Sequence, residues 1–170
     1  PLQLALLFDL SGSVHSRFEF EQQAATHFLT KVWKPGDTIS IVAFSEQPEV
    51  SLRSGKTLPE ALRQLGRLEP TQVATAFFDA VVFASRMLHQ TATPETRQAQ
   101  IILSDGADNR SDLTIPDALK EVQHSDTIFY SINPSGASVR LNAINRKGQE
   151  DLSALATATG GTAFVSDQSA

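Results

Sequence analysis

Five oxygen-bearing residues carry the chemistry of this sequence. Asp9, Ser11 and Ser13 stand in "FDLSGS", Thr75 in "VATAFFDA" and Asp105 in "LSDGADN". The two aspartates each close a short apolar run, "LALLF" and "IILS". Two carboxylates brought into one crevice repel each other, so one takes up a proton or a cation sits between them. Ser11 and Ser13 favour the cation. Alternate residues of an extended loop point the same way, and Gly12 lets the backbone turn closely between them. Thr75, ahead of a strongly apolar helix, adds a third hydroxyl from another loop. Such an all-oxygen shell of carboxylates, hydroxyls and water suits Mg²⁺, Mn²⁺ or Ca²⁺ rather than zinc. With few charged donors, the ion is held weakly and keeps a position open to an outside carboxylate.

The elements that must hold these residues read as an α/β fold. "LALLF", "TISIVAF" (38–44), "AQIILSD" (99–105), "DTIFYSI" (126–132) and "TAFV" (162–165) are continuous apolar runs. Continuous runs mark strands covered on both faces, as in a parallel sheet. "EVSLR" (49–53) alternates instead, as a half-exposed antiparallel edge strand does. Helical stretches lie between. Phe18, Glu21, Ala25, Phe28, Leu29 and Val32 form a mostly apolar stripe. Thr57 with Glu60 resembles a capping box, Thr75 is a fair helix cap, and Thr114-x-Pro116-Asp117 makes a helix start. A helix through Leu152 and Leu155 stops at Gly160–Gly161. The longest irregular stretch runs from Asn133 to Gln149.

Alternation of this kind predicts a doubly wound, Rossmann-like, mostly parallel sheet of about six strands with helices on both faces. In such sheets the site lies beyond the carboxyl ends of the strands, where the winding reverses. If the chain winds outward from its first strand and returns to the other side, the strands ending in Asp9 and Asp105 are neighbours.

Bulk properties narrow the function. The 170 residues suit one domain, 1–170, and the first residues already read as a strand, as in a domain cut from a longer protein. A net charge of −5 argues against nucleic acid as a partner, and the absence of cysteine excludes disulfide and thiolate-metal chemistry. No apolar run is long enough to insert in a membrane.

At these residues the sequence resembles the von Willebrand factor type A (VWA) domain family. The signature is D-x-S-x-S after the first strand, a later threonine, then an aspartate after another strand. The resemblance implies a metal-ion-dependent adhesion site (MIDAS) occupied by Mg²⁺, with Mn²⁺ or Ca²⁺ as substitutes. Ser11 and Ser13 would bind the ion directly, and Thr75, Asp9 and Asp105 directly or through water. It further implies a non-enzymatic module whose protein ligand presents an Asp or Glu to the metal, in an extracellular, periplasmic or cell-surface protein. Many relatives carry a glycine pair before the threonine, where this chain has Val73-Ala74. The chain also stops soon after "TAFV", where relatives often carry a closing helix.

Loops at 14–17, 70–74, 107–113 and 131–140 would set specificity, with His15, Gln72, Val73, Asp108, Asn109, Arg110, Asn133 and Arg140 as rim residues. Asp108 and Asn109 also suit the shaping of their own turn. Arg146 and Lys147 are read as further loop cations. Two other classes compete. "FDLSGS" with "LSDGADN" is superficially like a haloacid-dehalogenase phosphatase with Asp9 as nucleophile. Ser11, however, stands where that family's general acid would be, and a serine hydroxyl is a poor acid at neutral pH. The remaining alternative is a structural assembly domain with an unused site.

Overall fold

The chain alternates strand and helix as its apolar runs require. The computed structural model describes residues 1–133 and 146–165, together with the backbone of 143–145. Strands β1 (Leu2–Asp9), β2 (Thr38–Phe44), β3 (Pro48–Gly55), β4 (Arg97–Leu103), β5 (Thr127–Asn133) and β6 (Ala163–Val165) form one sheet in the order β3-β2-β1-β4-β5-β6. All pairings are parallel except β2 with β3. Winding therefore reverses at β1, which is flanked by β2 on one side and β4 on the other.

Helices α1 (Phe18–Val32) and α2 (Leu58–Leu65) pack on one face. Helices α3 (Phe77–His89), α4 (Ile115–His124) and α5 (Ala143–Thr159) pack on the other. Burial on both faces is why the centre of β1 is continuously apolar: Ala5, Leu6, Leu7 and Phe8 are all fully buried. Each of the Leu and Phe side chains removed from water stabilises the fold by about 1.5–3 kcal/mol.

The sheet departs from expectation at β5. Burial along this strand alternates, with Phe129 and Ser131 buried but Ile128, Tyr130 and Ile132 only half-buried. The two-helix face covers β1 to β3 and stops short of β5. There the side chains of Phe28, Val32, Ile101, Ile128, Tyr130 and Phe164 line an open apolar groove of about 400 Å³.

Three local expectations also change. Residues 12–17 are not an extended loop but a 3₁₀ turn (Gly12–Arg17) leading into α1. Residues 143–149 are not irregular; they form the first turns of α5, so Arg146 and Lys147 are helix residues. Lys147 pairs along that helix with Asp151 at 3.0 Å. The Thr57 hydroxyl makes no capping bond at α2, whereas at α4 the Thr114 N–H and hydroxyl both donate to Asp117, at 2.8 and 2.6 Å. Those bonds favour the ionised form and hold the Asp117 carboxyl below its usual range. Residues 134–142 and 166–170, Arg140 among them, lie outside the described residues. Among the described residues no helix is long and apolar enough to cross a membrane.

Candidate functional site

The register of β1 sets the geometry. Asp9 is its last residue, beside Phe44 of β2 and one position beyond the Phe8–Leu103 pair with β4. It is fully buried. Each carboxylate oxygen has a donor: Oδ1 accepts the Ser11 N–H at 2.8 Å and Oδ2 accepts the Ser104 hydroxyl at 3.0 Å. Asp105 follows Ser104 and is also buried. Its Oδ1 accepts the Ala107 N–H at 3.0 Å. Asp9 thus ends β1, and Asp105 lies two residues beyond the end of the neighbouring β4, as the winding argument requires. Burial pushes the Asp9 carboxyl up to about 6; bonds from Ser11 and Ser104 pull it back, and the charge of Asp105 pushes it further up.

The two serine hydroxyls converge, with Ser11 Oγ and Ser13 Oγ 3.0 Å apart. The cause differs from the alternation read in the sequence. Ser11 is extended (φ −65°, ψ 167°), and the 3₁₀ turn that starts at Gly12 folds Ser13 back over it. Ser11 is buried and Ser13 exposed, so the pair runs from the interior to solvent.

Backbone bonds tie three loops together around this point. The Gly12 N–H donates to Val73 O at 3.1 Å, and the Thr71 N–H to Leu10 O at 2.6 Å. On the other side Asn109 braces Thr75. Its Oδ1 accepts the Thr75 N–H at 2.8 Å, while its own N–H donates to Thr75 O at 3.1 Å. Thr75 is buried, and it is not the cap of α3, because the cap position falls on Ala76. Asp108 and Ser111 cap that helix instead, accepting the Phe78 and Asp79 N–H groups at 3.0 and 3.1 Å. Asp108 also accepts the N–H and hydroxyl of Ser111. Capping from another loop leaves the Thr75 hydroxyl unused by the helix terminus.

A close backbone approach fixes Asp105 from behind. Gly106 has φ +78°, and a Cβ placed on Gly148 of α5 would sit 2.6 Å from the Asp105 carbonyl oxygen. Only two glycines facing each other permit the loop to lie this close to the helix.

Of the rim residues, Gln72 and His15 meet at 3.1 Å on the surface, and Val73, next to Gln72, is exposed. Arg110 is exposed, 3.9 Å from Asp112. Asn133 is buried at the carboxyl end of β5. Three further residues enter the site without having been singled out. Ser104 bridges Asp9 and the Gly106 N–H, which donates to its oxygen at 3.1 Å. Arg17 lies 4.0 Å from Asp105 and 3.7 Å from Glu21. Glu21 is fully buried with no hydrogen bond to either oxygen among the described residues. Burial pushes its carboxyl up to about 8; Arg17 opposes the shift, and Asp9 and Asp105 add to it. The signal was its place: Glu21 is the one charged residue in the apolar stripe of α1.

No three His, Cys, Asp or Glu side chains converge among the described residues. The acidic component is a carboxylate pair, and hydroxyls supply the other donors nearby.

A cluster of buried polar side chains at the reversal point of a mixed, mostly parallel sheet marks a doubly wound α/β domain of the Rossmann-like class. Residues 4–107 match the von Willebrand factor type A domain model, and the chain belongs to that family. Domains of this family are often protein-interaction modules and generally non-enzymatic. The fold is similar to that of an aerotolerance-related membrane protein from Bacteroides fragilis (TM-score 0.76, 17% identity, 99% of this chain and 92% of that one). It is also similar to a von Willebrand factor type A protein from Catenulispora acidiphila (TM-score 0.71, 20% identity, 97% and 38%). Proximal thread matrix protein 1 of the mussel byssus, with zinc in its MIDAS motif, aligns over 77% of this chain and 35% of its own (TM-score 0.64, 15% identity). No curated protein sequence matches.

Proposed function

We propose that this domain is a metal-dependent protein-binding module. Asp9, Ser11, Ser13, Thr75 and Asp105 hold a divalent cation, Mg²⁺ by preference, and an Asp or Glu of a protein ligand completes its shell. The observations that carry this reading are the buried, electrostatically coupled Asp9 and Asp105 and the Ser11 and Ser13 hydroxyls 3.0 Å apart, with Ser11 bonded to Asp9. The donors are hard oxygens, as Mg²⁺ and Mn²⁺ require, and a cation would offset the cost of burying the Asp9 carboxylate, whose pKa burial raises. The exposed Ser13 leaves the ion reachable from solvent. His15, Gln72, Val73 and Arg110 form the rim that the ligand meets, with Asn133 and Arg140 on the neighbouring loop; Asp108 and Asn109 brace it. A surface, periplasmic or extracellular setting is part of the proposal, supported by the membrane protein among the structural relatives.

The phosphatase alternative is the weaker reading. Asp9 is fully buried and both its oxygens already accept hydrogen bonds, so it is poorly exposed for attack on a phosphate ester. Titration with Mn²⁺ tests the metal, and an array of peptides with and without Asp or Glu, probed in Mg²⁺ and in EDTA, tests the ligand. The expected result is one Mn²⁺ per chain, lost in Asp9→Asn, and binding confined to acidic peptides and abolished by EDTA. Acidic-peptide binding that persists in EDTA overturns the reading.

A further inference from the structure

The opposite end of the sheet carries a second constellation that the carboxylate crevice does not use. His89 closes α3 and His124 closes α4, and their rings lie 5.5 Å apart between centroids at 42°. The two helices run side by side in the same direction, since α3 leads into β4 and α4 into its parallel neighbour β5. One turn earlier on each, Arg86 and Glu121 form an ion pair at 3.0 Å. The steps 86 to 89 and 121 to 124 are both three residues. The ion pair therefore fixes the helix register that sets the imidazoles side by side.

The geometry points to a second metal site, in which His89 and His124 chelate a late first-row divalent cation: Zn²⁺, Ni²⁺ or Cu²⁺. A metal about 2.1 Å from one nitrogen of each ring, at a tetrahedral angle, sets the centroids about 5 Å apart, close to the spacing found. Neutral imidazole selects these metals, whereas Mg²⁺ and Ca²⁺ prefer oxygen. Two helix carboxyl termini meet here, and the helix dipole places about half a negative charge at each, which favours a cation. Both side chains are exposed, so water completes the shell and the ion stays open to exchange.

The test is Zn²⁺ calorimetry on the untagged chain in excess Mg²⁺, which keeps zinc from the oxygen site. One equivalent should bind in wild type, and at least tenfold more weakly in both His89→Ala and His124→Ala, because one imidazole cannot chelate. Asp9→Asn should leave this equivalent in place. Retention in either histidine variant, or loss in Asp9→Asn, overturns the assignment. Its failure leaves the Mn²⁺ and peptide results at the carboxylate end untouched.

Discussion

The two ends of the sheet collect metal-competent groups by opposite means. At the carboxyl ends of β1 and β4 the donors are oxygens, two of them on buried aspartates whose positions are locked by backbone bonds from three loops. At the amino ends, two exposed imidazoles are aligned by one ion pair between helices. Helix α3 links the two. Its start is capped by Asp108 and Ser111 beside Thr75, and its last residue is His89. Over 13 residues it spans about 20 Å, which keeps the ends electrostatically distinct at physiological salt. The comparison teaches that a buried, pre-formed site depends on loop bracing, whereas a surface chelate depends on helix register.

The largest test breaks the bracing. Asp108→Ala removes the acceptor for the Phe78 N–H and for the Ser111 N–H and hydroxyl. Loss of such a cap costs about 1–2 kcal/mol, read as a lower denaturant midpoint. The loop that holds Thr75 through Asn109 loosens with it, so Mn²⁺ affinity should fall about tenfold, as expected for a supporting contact. Zn²⁺ affinity at His89 and His124 should not change. If both metals weaken together, α3 couples the ends and the contrast fails.

A second test uses charge. Glu21 is buried and its carboxyl is pushed up to about 8. The folded state therefore binds its proton more tightly than the unfolded chain does, whose value is near 4.5. The stability this proton confers is complete below about 4.5 and is lost as pH rises through about 8. Asp9, pushed up to about 6, contributes in the same direction. Glu21→Gln keeps the group neutral. In metal-free protein its Tm should match wild type at pH 5 and exceed it at pH 8.5 by ~4–8 °C, on the order of 2 kcal/mol. Parallel pH profiles for the two proteins would remove Glu21 from the account.

These residues also mark how far the sequence could be read. Strands β1, β2 and β4 were legible because both faces are buried, which gives each a mostly apolar run: Leu4–Phe8, Ile41–Phe44 and Ile101–Leu103. Asp9 and Asp105 stood out because a strand that runs into a polar residue advertises the sheet's edge. The open face of β5 was not, since Ile128, Tyr130 and Ile132 are apolar whether covered or half-buried. Nor was the 3₁₀ turn at Gly12, because short polar runs specify turn type weakly. Ser104 reads as an ordinary strand-end serine until β1 and β4 pair and point it at Asp9. Likewise, Arg17 gains its role only when α1 packs over β4 and brings it within 4.0 Å of Asp105. His89 and His124 have no shared spacing in the chain; parallel helices alone make them neighbours.

The smallest test concerns that register. In Glu121→Gln the ion pair with Arg86 is lost, and two consequences follow in the same direction. The helices are no longer pinned one turn from the imidazoles, and the Arg86 charge, which Glu121 had balanced, now repels an incoming cation. Arg86 is mostly exposed, so water and salt screen much of this effect. Zn²⁺ affinity should therefore fall only about two- to fivefold in low salt, and by less in high salt. Mn²⁺ binding at the oxygen site should stay at its wild-type value. Unchanged Zn²⁺ affinity in low salt would mean that the core alone sets the helix register, without help from the surface pair.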